Sequence, residues 1–273
     1  MNYRHCYHAG NFADVIKHVV LIVLLQALQR KETPFCFLDT HAGIGLYELQ
    51  SEQAQKKQEY ENGIGKLFSL DATQLPPALQ TYLSIVKKYN SDNLDLYPGS
   101  PLIAENVLRP HDQMILCELH SDDVRTLKDN FTGAKNVAIH HNDGYLGMKA
   151  FLPPSVKRGL VLIDPPFEVT DEFSQIFLAL KRALKHWRSG HFMIWYPIKN
   201  NAGVEKFYTD IRSLQMEHLI IQISLNNLID EGKLSACGIL LMNPPWQVKE
   251  TIETVLPVLS ETMHAKCELV HNG

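Results

Sequence analysis

The chain has 273 residues, of which 45% are hydrophobic and 21% charged, a composition that excludes a disordered or collagen-like chain. Twenty-six Lys and Arg against 30 Asp and Glu give a net charge of -4, which argues against a general nucleic-acid coat or a polybasic membrane binder. The longest apolar run, Val19 to Leu25, has seven residues where a membrane span needs about 20, and the polar start Met1 to Cys6 is no signal peptide.

The length fits one large domain, or one domain carrying an insertion. Phe12 to Arg30 reads as a largely apolar helix, broken by Pro34. A short apolar strand follows at Phe35 to Asp39, then a turn, Thr40-His41-Ala42-Gly43-Ile44-Gly45. Further strands are predicted at Met114 to Glu118, Val137 to His140, Leu160 to Asp164, Phe192 to Tyr196, Leu219 to Leu225 and Gly238 to Met242. Helical patterns lie near Ser121 to Phe131, Asp171 to Trp187 and Ala202 to Leu214. Apolar strands alternating with helices predict an α/β fold: a seven-stranded, mostly parallel sheet with helices on both faces. The first crossover is far longer than such connections need. Residues 47–97 therefore read as a small helical insertion after the first strand, with 1–46 and 98–273 forming the main domain. Five separated cysteines, three in apolar runs, predict reduced, mostly buried thiols in a cytoplasmic protein.

Asp39-Thr40-His41-Ala42-Gly43-Ile44-Gly45 follows a strand, where a nucleotide-type site is expected. Gly43 and Gly45 allow a tight turn and close approach to a ligand. Glu48 replaces the third glycine of a dinucleotide fingerprint, and no phosphate-loop Gly-Lys-Ser/Thr is present. The pattern resembles the cofactor loop of class I S-adenosylmethionine methyltransferases. The second strand ends in Glu118, placed to accept hydrogen bonds from ribose hydroxyls, although a helix-start acid reads equally well. The third ends in His141-Asn142-Asp143-Gly144, where Asp143 and Gly144 suit an adenine contact and equally a plain turn.

Leu160-Val161-Leu162-Ile163-Asp164-Pro165-Pro166-Phe167 carries the chemistry. A strand ending in Asp/Asn-Pro-Pro-aromatic is the mark of amino-group methyltransferases. An exocyclic amine is a poor nucleophile because its lone pair is delocalised. Asp164 can accept one N–H and the Pro165 carbonyl the other, which favours a pyramidal nitrogen. The prolines stiffen the loop, so orientation is prepared in advance. Phe167 offers a stacking face to an extruded base, and Asp164 can take the released proton. A second match, Asn243-Pro244-Pro245-Trp246, also follows an apolar strand. It leaves only 27 residues behind it, too few for the rest of the sheet, and so reads as a structural turn.

The N-terminal segment, residues 1–11, interleaves aromatic and basic residues, Tyr3 and Arg4 among them, which suits base stacking and phosphate contact. His5, Cys6 and His8 lack a second cluster at zinc spacing, and no metal is expected. Lys17 and His18 interrupt the apolar helix, either as a polar surface stripe or beside the cofactor. Tyr97-Pro98-Gly99-Ser100-Pro101 predicts a helix start with Ser100 as N-cap and Pro101 in the first helical position.

Taken together, Tyr3-Arg4-His5, His8-Ala9-Gly10-Asn11, Ala13-Asp14-Val15, Lys17-His18, Leu38 to Gly43, Tyr97 to Ala104, Asp143-Gly144, Ile163 to Pro166 and Asn243 to Trp246 resemble the RlmJ family of bacterial 23S rRNA adenine-N6 methyltransferases. The resemblance implies a Rossmann-like fold, S-adenosylmethionine as cofactor and S-adenosylhomocysteine as product. It implies the family target, adenine-2030, and action as a monomer on protein-poor 23S rRNA, with no membrane and no obligate protein partner. His18, His41, Ser100, Glu118, Asp143 and Gly144 would contact the cofactor, with Lys17, Asp39, Gly43, Gly45 and Asp164 around them. Asp164, with Pro165 and Phe167, would form the catalytic loop, and Tyr3 would meet the RNA with Arg4. Phe167 stands where the family usually has Tyr, keeping the stacking face and losing the hydroxyl. The tail after Leu256 matches poorly and receives no role. A DNA adenine-N6 or cytosine-N4 methyltransferase, or a non-catalytic RNA-binding assembly factor, are the alternatives. Basic groups at Tyr3 to His8, Lys56-Lys57, Lys87-Lys88, Lys157-Arg158 and Lys181 to Arg188 predict a basic cleft around Asp164.

Overall fold

The computed structural model describes residues 4–199, 201–226 and 234–272; Tyr3 lies outside them. Among the described residues ten strands form: β1 Cys36–Asp39, β2 Leu46–Glu48, β3 Leu96–Pro98, β4 Gln113–Glu118, β5 Val137–His141, β6 Gly159–Ile163, β7 His191–Pro197, β8 His218–Leu225, β9 Ala236–Met242 and β10 Ala265–Asn272. The α-helices are α1 Phe12–Gln29, α2 Glu52–Lys57, α3 Ile64–Phe68, α4 Pro77–Lys88, α5 Ser100–Val107, α6 Ser121–Asn130, α7 Gly144–Phe151, α8 Glu172–His186, α9 Asn201–Arg212 and α10 Val248–Met263.

The main sheet has eight strands, in the order β10-β8-β9-β7-β6-β1-β4-β5, not seven. The seven expected strands are all there. The eighth, β10, pairs antiparallel with β8 and comes from the tail that had been given no role. Its sequence, Ala-Lys-Cys-Glu-Leu-Val-His-Asn, shows no continuous apolar run, because an edge strand has only one paired neighbour and keeps polar groups toward water. β4, β1, β6 and β7 run parallel with β5 at one end. β9 is antiparallel to both β7 and β8.

That one reversal decides where the two Asx-Pro-Pro turns fall. The turn after β6 emerges at the carboxyl edge of the parallel strands. The turn after β9 emerges at the opposite edge, because Met242 pairs with Phe192 at the start of β7.

α1 is apolar nearly all round, and such a helix belongs either in a core or in a bilayer. At 18 residues with a mean hydropathy of 1.7 it meets the length and composition of a membrane span, although Lys17 and His18 interrupt its apolar run. Here it is buried against the sheet, with α4, α5 and α10 packed on it. Residues 47–97 contribute Leu79, Tyr82, Leu83 and Val86 to the same core as Val19 and Leu24 of α1. β2 and β3, at the two ends of this segment, pair antiparallel. The Gly99 N–H also donates to the Gly45 carbonyl at 2.7 Å, which brings α5 back beneath the glycine turn. Cys36, Cys117 and Cys237 are buried, and Cys6 and Cys267 half-buried, all as free thiols.

Candidate active site

A cleft of about 930 Å³ opens at the carboxyl edge of the parallel strands, the place where doubly wound sheets take ligands. Its walls come from the start of α1, the turn after β1, the ends of β4 and β5, and the Asp164 to Phe167 loop.

The N-terminal segment folds to deliver α1 into this cleft. Gly10 adopts φ +78°, and a β-carbon there would meet Ile64 at 2.9 Å. Asn11 caps α1 by accepting the Asp14 N–H at 3.0 Å. Asp14, Lys17 and His18, three and four residues apart, then share one helix face. Lys17 Nζ donates to Asp14 Oδ1 at 2.7 Å and to Asp164 Oδ2 at 2.5 Å. Asp14 Oδ2 meets His5 Nε2 at 2.8 Å and accepts the Gly10 N–H at 3.0 Å. Burial opposes charge on Asp14 and on Lys17, yet the ionic partners prevail. His5 and Lys17 hold the Asp14 carboxyl well below the usual range, and Asp14 and Asp164 push the Lys17 ammonium up. Lys17 is therefore no surface stripe; it is 4% exposed and links the first helix to the β6 loop. Asp14 was visible only as part of a family block, because its role depends on a contact across 147 residues between Lys17 and Asp164.

His18 bonds the Tyr97 hydroxyl at 2.8 Å and stacks on its ring. Burial lowers its imidazole pKa to about 3, so it is neutral at physiological pH. Burial does the same to His41, down to about 4. His41 packs edge-on against Tyr145.

In the glycine turn, Gly43 takes φ +63° and a β-carbon would meet the Tyr47 hydroxyl at 2.2 Å. Its N–H donates to Glu118 Oε2 at 2.8 Å, while Glu118 Oε1 accepts the His120 N–H at 2.8 Å. Asp143 caps α7 by accepting the Leu146 N–H. Gly144 has no room for a side chain, since a β-carbon would lie 2.3 Å from the Thr40 carbonyl. Asp39 is fully buried and lies beneath the turn, outside the cleft walls, as does Gly45. Burial raises its carboxyl to about 7, against the hydrogen bonds from Ser100 and the His41 N–H. The Ser100 hydroxyl donates to Asp39 Oδ2 at 2.7 Å. Ser100 is not the N-cap; Gly99 is, and Ser100 with Pro101 fills the first turn. The hydroxyl is turned inward because buried Asp39 lacks enough donors of its own.

Pro165 is buried and Phe167 half-buried, with φ +50° at Phe167. The Phe167 ring stands edge-on to Phe173 and Trp195, with centroids 5.1 and 6.2 Å away. Two further groups line this side: the Tyr145 hydroxyl donates to Glu172 Oε1 at 2.5 Å, and burial raises the Glu172 carboxyl. No motif announced this pair, since it joins two helices that only tertiary packing brings together. Arg4 lies outside the cleft walls, exposed and ion-paired to Asp123 at 3.1 Å.

The cleft is not basic. Carboxylates outnumber Lys17 and Lys199 along its walls, and Lys56, Lys57, Lys87, Lys88, Lys157, Arg158 and the cations of 181–188 are not among them. Lys157, Arg158 and Arg188 belong to turns at the opposite edge. The charge clusters of a chain reveal nothing about which edge of the sheet each turn occupies.

This strand order, with antiparallel β9 set between β7 and β8, is that of the Rossmann-like class I methyltransferases. The sequence matches the family described as ribosomal RNA large subunit methyltransferase D, RlmJ, over residues 32–270. It is 38% identical over 266 residues to the ribosomal RNA large subunit methyltransferase J of Haemophilus influenzae, covering 96% of this chain and 94% of that one. The Escherichia coli protein of the same name is 38% identical over 262 residues, covering 95% and 92%. A crystal structure of a Legionella pneumophila protein superimposes with a TM-score of 0.90 at 37% identity, covering 97% of this chain and 99% of that one. The chain belongs to the RlmJ family.

Proposed function

We propose that this protein is a cytoplasmic, S-adenosylmethionine-dependent methyltransferase that acts on the N6 amino group of an adenine in 23S rRNA, the family target being adenine-2030. The names of the curated relatives favour large-subunit rRNA over DNA. The observation that carries the chemistry is the Asp164 carboxylate at the cleft, held through one oxygen by buried Lys17 at 2.5 Å. Its other oxygen is left for an amine N–H.

The cofactor fits the residues present. Gly43 and Gly144 line the cleft in turns packed so closely that a β-carbon would collide with Tyr47 or Thr40, which keeps backbone rather than side chain at the wall. Glu118 and Asp143 stand at the strand ends suited to ribose and adenine, with His18, His41 and Ser100 nearby. The acid-rich walls suit a cationic sulfonium. When bound, S-adenosylmethionine supplies a methyl group electrophilic enough to need no metal.

The chain's own residues do the rest. Phe167 stacks on the extruded base. Asp164 and the Pro165 carbonyl accept the two amine hydrogens and aim the lone pair. Lys17, itself anchored by Asp14, keeps Asp164 from turning, and Asp164 would take the proton the amine gives up as the methyl group passes from sulfur to nitrogen and S-adenosylhomocysteine leaves. The enzyme works as a monomer on protein-poor RNA, which Tyr3 and Arg4 contact.

The test is incubation of the purified protein with S-adenosylmethionine and protein-free 23S rRNA from cells lacking it, followed by mapping of N6-methyladenosine. One new mark is expected. An unchanged rRNA, with methylation of DNA instead, would overturn the substrate.

A further inference from the structure

The acid-rich cleft cannot supply the electrostatic affinity that a polyanionic substrate demands, so the cations of the chain must serve elsewhere. One group of them stands at the opposite edge of the sheet. There the strand register sets four turns in a row: Cys36 beside Gly159, Leu160 beside His191, and Phe192 beside Met242. The turns carry Arg30, Lys31, Lys157, Arg158 and Arg188.

Among the described residues none of these five is paired with a carboxylate. Arg30 Nη1 donates to the Trp246 carbonyl and to Gln247 Oε1, each at 3.0 Å. Arg158 donates to the carbonyls of Leu28 and Thr33, and Arg188 to that of Gln215. The acids of this edge include Asp112 and Glu32, both engaged by Arg109, exposed Glu217, and exposed Glu250 in the first turn of α10. Burial lowers the His191 imidazole, and the positive charges of Arg158 and Lys31 add to that.

Trp246 stands beside them, 79% exposed. Its turn is rigid: two prolines precede it, and Asn243, at φ +53°, is held on both sides. The Asn243 side chain donates to the Gly190 carbonyl at 3.1 Å, its N–H donates to the Glu217 carbonyl at 2.8 Å, and its own carbonyl meets His191 Nδ1 at 2.5 Å. Folding gains little from an indole presented to water. A fixed aromatic face with Arg30 on its own turn and further cations without carboxylate partners on the neighbouring turns offers a single-stranded nucleic acid one part for base stacking and another for phosphates.

We propose that the Asn243 to Trp246 turn and its surrounding cations form a second RNA contact surface, roughly 20 Å from Asp164 along β6. It takes an unpaired segment of the substrate RNA, with a base on Trp246 and phosphates on the arginines and lysines. This rests on the RNA reading above, and it assigns a distinct role to the second Asx-Pro-Pro-aromatic motif.

The experiment compares full-length wild type, Trp246→Ala, Trp246→Phe and Lys31→Glu/Lys157→Glu. It measures affinity for protein-free 23S rRNA across salt concentrations, and methyl transfer to that rRNA and to a short hairpin bearing only the target loop. For Trp246→Ala, affinity for long rRNA is expected to fall about 5- to 100-fold. KM for long rRNA rises in step, while kcat and the hairpin KM stay within about twofold of wild type. Trp246→Phe recovers most of the loss, and the double charge reversal flattens the salt slope. Wild-type affinity in both Trp246→Ala and the charge variant overturns the surface, as does a changed oligomeric state with RNA affinity intact. A wild type that binds rRNA through Trp246 yet methylates nothing keeps the surface and overturns the reaction.

Discussion

Two turns of this molecule share the pattern Asx-Pro-Pro-aromatic after an apolar strand, and they differ in almost everything else. Asp164 to Phe167 follows a strand parallel to its neighbours and opens on the cleft. Asn243 to Trp246 follows an antiparallel strand and opens at the far edge. Their backbones also differ. The left-handed residue is the last of the first turn, Phe167 at φ +50°, and the first of the second, Asn243 at φ +53°. Asp164 is tied to a buried ionic network through Lys17, whereas Asn243 is satisfied by the Gly190 and Glu217 carbonyls and the His191 ring. A short motif therefore specifies a stiff turn; the edge on which the turn emerges, and the charge behind it, decide whether it can orient an amine.

The comparison is tested most severely by Asp164→Ala. Methyl transfer to protein-free rRNA should fall about 10²- to 10⁴-fold, while cofactor affinity measured by calorimetry changes little. Undiminished transfer would remove the distinction between the turns.

The network behind Asp164 is probed through stability. Asp14→Asn leaves Lys17 short of a buried partner and should cost about 3–5 kcal/mol in urea unfolding at pH 7. The Asp14 carboxyl is depressed in the folded protein, so folding stabilises its ionised form. That contribution is complete above the ordinary carboxylate pKa of about 4, and it fades as the pH falls through the still lower folded value. The gap between wild type and Asp14→Asn should be present at about pH 5 and narrow below about pH 4. A gap that widens in acid would contradict the ionic assignment.

Phe167→Ala removes the stacking face, and stacking on an aromatic is worth about 1–3 kcal/mol per base. KM for the RNA should rise about 5- to 150-fold, with Phe167→Tyr near wild type.

The smallest effect belongs to the second turn. Asn243→Ala loses one hydrogen bond and strains a left-handed residue, for about 2 kcal/mol of stability. Asn243→Gly, which tolerates positive φ, should lose less. In both, kcat should stay within about twofold of wild type, and a collapse of kcat in the folded protein would place the turn in the chemistry after all.

Much of this was legible in the chain. The parallel strands announced themselves as apolar runs, and Gly43 and Asp164 stood where such runs end. β10 was not legible because an edge strand needs no unbroken apolar sequence. The inward turn of the Ser100 hydroxyl was hidden because its partner, Asp39, lies across the loop made by residues 47–97. The acid-rich cleft contradicted the clustering of basic residues, since neighbours in sequence at the start of β6 or the end of α8 face away from the cleft.

By itself the sequence determined the seven apolar strands, the stiff tetrapeptide turns and the family, because propensity, apolar patterning and motif chemistry are local properties. Only the tertiary structure decided which turn meets the cleft, what holds Asp164 in place and where the cations gather. Those depend on strand direction and on contacts between residues far apart in the chain, and a polypeptide acquires them only when it folds.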